Sequence, residues 1–105
     1  VVDEQVTTPR MISVTAEGLV VKPILILEGS GTNVSISNDD SIINVGTFTN
    51  TKWEIDCINY ISYKNGVETF LNMNEFWLMP SVNQLKIAGT GLNFKFSVKV
   101  RNRYL

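Results

Sequence analysis

Apolar and polar residues alternate in short runs along most of the chain, and no stretch sustains a helical period. The nearest helical candidate, Asn72 to Leu78, is short. Arg10 to Thr15 alternates, with Ile12 and Val14 on one face, and reads as a strand. Glu17-Gly18 marks a turn. Pro23 divides the next apolar stretch into Leu19–Val21 and Ile24–Leu27, because proline removes a ladder donor and belongs at a strand start or an edge. Both faces of Ile24–Leu27 are apolar, which predicts an inner strand covered on each side. Val34 and Ile36 alternate with serines in a short strand, and Ser41 to Val45 is another, ended by Gly46. In Lys52 to Ile58, Trp53, Ile55 and Cys57 face one way and Lys52, Glu54 and Asp56 the other. Gln84 to Ala88 turns Leu85 and Ile87 inward. Phe94 to Arg101 turns Phe94, Phe96, Val98 and Val100 inward and leaves Lys95, Ser97, Lys99 and Arg101 solvated.

Turn signals separate these runs. Gly29-Ser30-Gly31-Thr32-Asn33, Asn38-Asp39-Asp40 and Gly89-Thr90-Gly91 read as reversals of the chain. Asn65-Gly66, between Tyr60–Tyr63 and Val67–Leu71, is the strongest hairpin signal, since a two-residue turn of this kind needs positive φ at both positions. Phe76 to Met79 runs up to Pro80. Residues 1–9 are acidic, rich in threonine and end in Pro9, and read as a linker ahead of a single domain at 10–105. Strands about every ten residues, without an internal repeat, predict an antiparallel β-sandwich or a small barrel.

Composition agrees. Valine, isoleucine and threonine supply 31 of 105 residues and alanine two, which favours pleated sheet over helix. Asparagine, serine and threonine number 28 and suit polar turns. No apolar run exceeds five residues, the length of Pro23 to Leu27, against about twenty for a membrane-spanning helix. A net charge of −1 does not suit bulk nucleic-acid binding. The start at Val1 leads us to expect a fragment of a longer chain.

The chemistry of sites is thinly supplied. The chain has no histidine and one cysteine, Cys57, so histidine-based triads and zinc sets lose their usual residues, and no enzyme and no cofactor is expected. Gly29-Ser30-Gly31 lacks the lysine and the helix of a phosphate loop. Glu54 and Asp56 share a strand face at a spacing that suits paired carboxylates, but Lys52 lies on the same face and a solvated surface is the expectation. Asn38, Asp39 and Asp40 lack the alternating acids of a calcium loop and read as a turn. Cys57 falls among apolar neighbours and reads as core. Trp53 faces inward with Ile55, whereas one of Phe76 and Trp77 points outward. An outward Trp77 with Tyr60 or Tyr63 would offer a sugar-stacking platform, but such aromatics also fill cores and protein interfaces. Residues 1–40 hold six acids and two bases, and residues 94–105 hold four bases and no acid. Cross-strand pairing accounts for that asymmetry, as would a head-to-tail assembly.

The order of these segments resembles the C-terminal domain of the siphophage distal tail protein family over residues 10–105. Lys22-Pro23-Ile24-Leu25-Ile26-Leu27-Glu28-Gly29-Ser30-Gly31 looks like its opening strand, Glu54-Ile55-Asp56 resembles a later strand, and Tyr63-Lys64-Asn65-Gly66 is similar to the hairpin that follows. Asn74-Glu75-Phe76-Trp77-Leu78-Met79-Pro80 matches loosely, Val82 to Gly89 matches a later strand, and Arg101-Asn102-Arg103-Tyr104-Leu105 resembles its ending. Asn38-Asp39-Asp40 stands where that family carries a glycine. The resemblance implies a galectin-like β-sandwich with a structural role in the virion, at the distal end of a phage or prophage tail. It implies a parent chain whose N-terminal part builds a six-fold ring, with this domain as a monomeric peripheral arm contacting other tail or baseplate proteins. Arg101, Arg103 and Tyr104 are then the candidate contact residues. The alternative is a carbohydrate-binding module that recognises a host-surface glycan, with Trp77, Tyr60 and Tyr63 as stacking residues. Sugar binding does not follow from a galectin-like architecture alone, because the chain has no histidine to supply the galectin polar set.

Overall fold

The structure, a computed structural model, describes residues 2–16, 23–38, 41–57, 59, 61–69, 71 and 81–99. Every element among them is a β-strand: β1 (Val2–Val6), β2 (Arg10–Ala16), β3 (Ile24–Ser37), β4 (Ile42–Asp56), β5 (Ile61–Lys64), β6 (Val67–Glu68) and β7 (Ser81–Lys99). All pairings are antiparallel, in the order β1-β7-β3-β4-β5-β6, with β2 also on β7. The all-β, sandwich-like class expected from the alternation is what forms.

The main difference from expectation lies in strand length. β3, β4 and β7 have 14, 15 and 19 residues, and each runs straight through a segment read from sequence as a turn or a strand end. Gly29–Asn33 does not reverse the chain, Gly46 does not end a strand, and Gly89-Thr90-Gly91 does not separate two strands. At these points the register shifts instead, between Gly29 and Gly31, Gly31 and Val34, and Ser30 and Thr32. Extra residues inserted in a ladder bend the strand and raise its twist. The bends lie side by side, since Gly31 pairs with Phe48, Val34 with Gly46 and Thr32 with Thr90.

Bending together, the strands divide into two arms. One arm holds β1, residues 92–99 of β7, 24–31 of β3, 48–56 of β4, and the β5–β6 hairpin. The other holds β2, residues 81–88 of β7, 34–37 of β3 and 42–46 of β4. β1 and β2 follow β7 around the same corner, with Val6 opposite Phe94 and Arg10 opposite Ile87. Residues 2–6 are therefore a strand: Val6 is fully buried against β7, and that tertiary contact outweighs the acidic local composition. Arg10 Nη2 lies 2.9 Å from Glu4 Oε2, an ion pair that links the two pieces.

Bulges explain why the apolar positions change parity. In β3, Leu25 and Leu27 are buried, and then Val34 and Ile36; in β7, Leu85 and Ile87, and then Leu92, Phe94, Phe96 and Val98. The inserted residues keep the same sheet face inward on both sides of the bend. Residues from both arms, among them Trp53 and Phe96 from one and Ile36 and Ile87 from the other, join one core cluster. Strands that pass from layer to layer through bulges are a known way of making a sandwich corner.

The bends share a spacing that was not evident as a repeat: Gly29-Ser30-Gly31-Thr32-Asn33, Gly46-Thr47-Phe48-Thr49-Asn50 and Gly89-Thr90-Gly91-Leu92-Asn93. The leading glycine has positive φ in all three, and Asn33 and Asn50 have φ of 51° and 45°. Asn33 N–H donates to Thr47 Oγ1 at 3.2 Å, and Asn50 N–H donates to Ser30 Oγ at 3.0 Å. In the first two motifs, on β3 and β4, the second residue of one thus accepts from the last residue of the other. Hydroxyls supply partners for amides that the bulged ladder leaves unpaired.

Candidate interaction face

The outward positions of the longer arm form one charged face. Alternation sets which side chains point outward, and the register of non-consecutive strands sets which become neighbours. Glu28 on β3 pairs laterally with Lys52 on β4 and with Lys95 on β7, so an acid stands between two bases. The next outward row is Ser97, Ile26, Glu54, Tyr63 and Glu68, and the third is Lys99, Ile24, Asp56 and Ile61. Ile26, Glu28, Lys52, Lys95 and Ser97 line a shallow depression of about 170 Å³. Ile24 and Ile26 are half-buried, so β3 is an inner strand whose outer side is only partly covered, not enclosed on both faces as expected.

The bends of β3, β4 and β7 carry no charge of their own, although the Arg10–Glu4 ion pair stands at the same corner on β2 and β1. Residues 29–37, 44–51 and 87–94 contain no Asp, Glu, Lys or Arg. The charged rows and these neutral bends therefore occupy different stretches of β3, β4 and β7.

Glu54 and Asp56 both point outward, as the alternation required. Asp56 is occupied in a turn: its Oδ1 accepts from Asn59 N–H at 3.2 Å and its Oδ2 from Asn59 Nδ2 at 3.0 Å. Asn38 begins a turn as expected, accepting from Ser41 N–H at 2.8 Å and donating its own N–H to Ser41 O at 3.0 Å; Asp39 and Asp40 lie outside the described residues. Cys57 is buried, and its N–H donates to the carbonyl of Pro23, just ahead of β3.

Of the candidate stacking residues, Tyr63 is half-buried on the charged face, between Glu54 and Glu68. Tyr60 and Trp77 lie outside the described residues, as do the candidate contact residues Arg101, Arg103 and Tyr104. The other described aromatics, Phe48, Trp53, Phe94 and Phe96, are core. Trp53 faces inward as expected. Its ring lies 5.9 Å from Lys64 Nζ, and its Nε1 has no hydrogen-bond partner among the described residues.

Sequence reasoning identified the exposed side of two strands but missed the face. Glu28, Ile24 and Ile26 were not singled out, because nothing local places β3 between β4 and β7. Among the described residues no helix is long and apolar enough to cross a membrane. No protein-family model matches the chain, and neither a curated protein nor a solved structure matches it.

Proposed function

We propose that this chain is a non-enzymatic docking domain of a phage or prophage tail tip, the galectin-like C-terminal domain of a distal tail protein. Its docking surface is the charged outer face of the longer arm, and its partners are other tail or baseplate proteins. The family assignment rests on the ordered resemblance across residues 10–105. The observation that supports docking is the Lys95–Glu28–Lys52 row beside half-buried Ile24 and Ile26. Fixed alternating charges around apolar side chains suit a protein of complementary charge, since such patterning sets register and rejects wrong partners.

The test has two parts. Light scattering on the full parent chain and on this domain should give a ring-forming parent and a monomeric domain; a parent that stays monomeric overturns the tail-hub reading. Lys52→Glu should leave stability within about 0.5 kcal/mol and weaken capture of purified tail proteins in low salt. Unchanged capture overturns the assigned face.

Glycan recognition is the second reading, and Tyr63 on the same face is the observation that favours it. It predicts that soluble wall polysaccharide shifts tyrosine or tryptophan emission and that Tyr63→Ala abolishes the shift.

A further inference from the structure

Asn65 is the only asparagine followed by glycine in the chain, and it occupies the exposed turn between β5 and β6. Its φ is 51° and that of Gly66 is 80°, the positive pair of a two-residue hairpin turn. Its polar groups do more than close that turn. Asn65 N–H donates to Lys52 O at 2.8 Å, and Asn65 Oδ1 accepts from Lys52 N–H at 2.9 Å. The β4–β5 ladder covers Trp53–Asp56 against Ile61–Lys64, so the Lys52–Asn65 exchange extends it by one step. A side-chain carbonyl replaces the backbone acceptor there, latching the hairpin tip to β4.

We propose that Asn65 is a site of spontaneous covalent modification, guarded by this latch. Where an asparagine precedes an unhindered glycine, the glycine amide nitrogen, deprotonated by hydroxide, attacks the side-chain carbonyl carbon. A bond forms between Gly66 N and Asn65 Cγ, the Cγ–Nδ2 bond breaks, and ammonia leaves. Water then opens the cyclic imide at either carbonyl and yields aspartate or isoaspartate. In the folded domain the carboxamide is turned back toward Lys52 and held by its amide, so the ring closes only when the hairpin tip opens.

The two products differ in consequence. Aspartate keeps an acceptor oxygen at the same position and is also suited to positive φ. Isoaspartate routes the main chain through the former side-chain carbon and adds one carbon to the turn, so Lys52 N–H loses its partner. Because β5 and β6 carry Tyr63 and Glu68 of the outer face, isoaspartate formation releases one edge of that face from β4. This inference does not depend on what the face binds.

The experiment ages the chain at mildly alkaline pH, folded in one arm and unfolded in urea in the other. Isoaspartate and aspartate at position 65 are quantified by peptide mapping. Conversion at Asn65 should lead all other asparagines in urea and should be roughly tenfold or more slower in the folded chain, where only the locally opened hairpin reacts. Equal rates in the two arms, or another asparagine converting first in urea, would overturn the proposal. Amide exchange separates the products. Lys52 N–H should stay protected in Asn65→Asp and become exposed in the isolated isoaspartate form. Retained protection in the isoaspartate form would refute the latch.

Discussion

The amide of Asn33 on β3 donates to the hydroxyl of Thr47 on β4 at 3.2 Å, and Asn50 on β4 returns the bond to Ser30 on β3 at 3.0 Å. The two strands thereby turn the corner as a pair. Ser30→Ala and Thr47→Val should each cost about 0.5–1.5 kcal/mol in urea denaturation. Both remove an acceptor for an amide in a shared corner, so the double variant should depart from additivity by about 0.5 kcal/mol or more. Strictly additive losses would show that the two bonds act independently.

The rings of Phe48 and Phe94 meet with centroids 5.8 Å apart and planes inclined at 60°. They stand on β4 and β7, either side of β3, where their lateral neighbours are Gly31 and Gly29. A Cβ at Gly31 would lie 2.5 Å from Val34 Cγ2, and one at Gly29 would lie 2.7 Å from Phe94 Cα with φ at +145°. Gly29→Ala should therefore cost more than the about 1–3 kcal/mol of backbone strain alone. Gly46 has positive φ but nothing within 4 Å of its added Cβ, so Gly46→Ala should cost strain only. Denaturant midpoints that rank the two variants in the opposite order would contradict the packing at this corner.

Phe96 is fully buried opposite Leu27 and Glu4. Phe96→Ala should destabilise the domain by about 3–5 kcal/mol, a large share of the stability of a chain this size. Thermal unfolding followed by circular dichroism should show a drop of more than about 10 °C. A fall of only a degree or two would mean that the side chain is not core.

Trp53 is 4% exposed and lies under Lys64. With Trp77 replaced by Phe, the remaining emission should be blue-shifted and resist quenching by acrylamide. Lys64→Ala should change stability by about 1 kcal/mol or less, the scale of an exposed cation–π contact. Emission typical of solvated indole in the single-tryptophan chain would contradict an inward Trp53.

Some elements were legible because their causes are local. Asn65-Gly66 specifies its hairpin by requiring positive φ at two adjacent residues, and the turn forms there. The alternation of Trp53, Ile55 and Cys57 with Lys52, Glu54 and Asp56 separates core from solvent without knowledge of any neighbour. The Gly-x-x-x-Asn segments were misread for an equally physical reason. Glycine and asparagine at positive φ serve a chain reversal and a bulged bend alike, and the choice depends on whether an adjacent strand bends at the same level. The contact face was missed for a related reason: Glu28 becomes part of a charged row only once Lys52 and Lys95 flank it.

Alternation, β-branched composition and turn chemistry determined by themselves that this chain is all-β, which side of a strand such as 52–57 faces the core and where one hairpin closes, because those properties depend on a residue and its nearest neighbours along the chain. The tertiary structure alone decided that three long strands bend together, that the N-terminal residues join β7, and that charges from β3, β4 and β7 form rows. Those outcomes depend on lateral register between strands far apart in sequence, where burial of a shared core selects one pairing among several that local propensity allows.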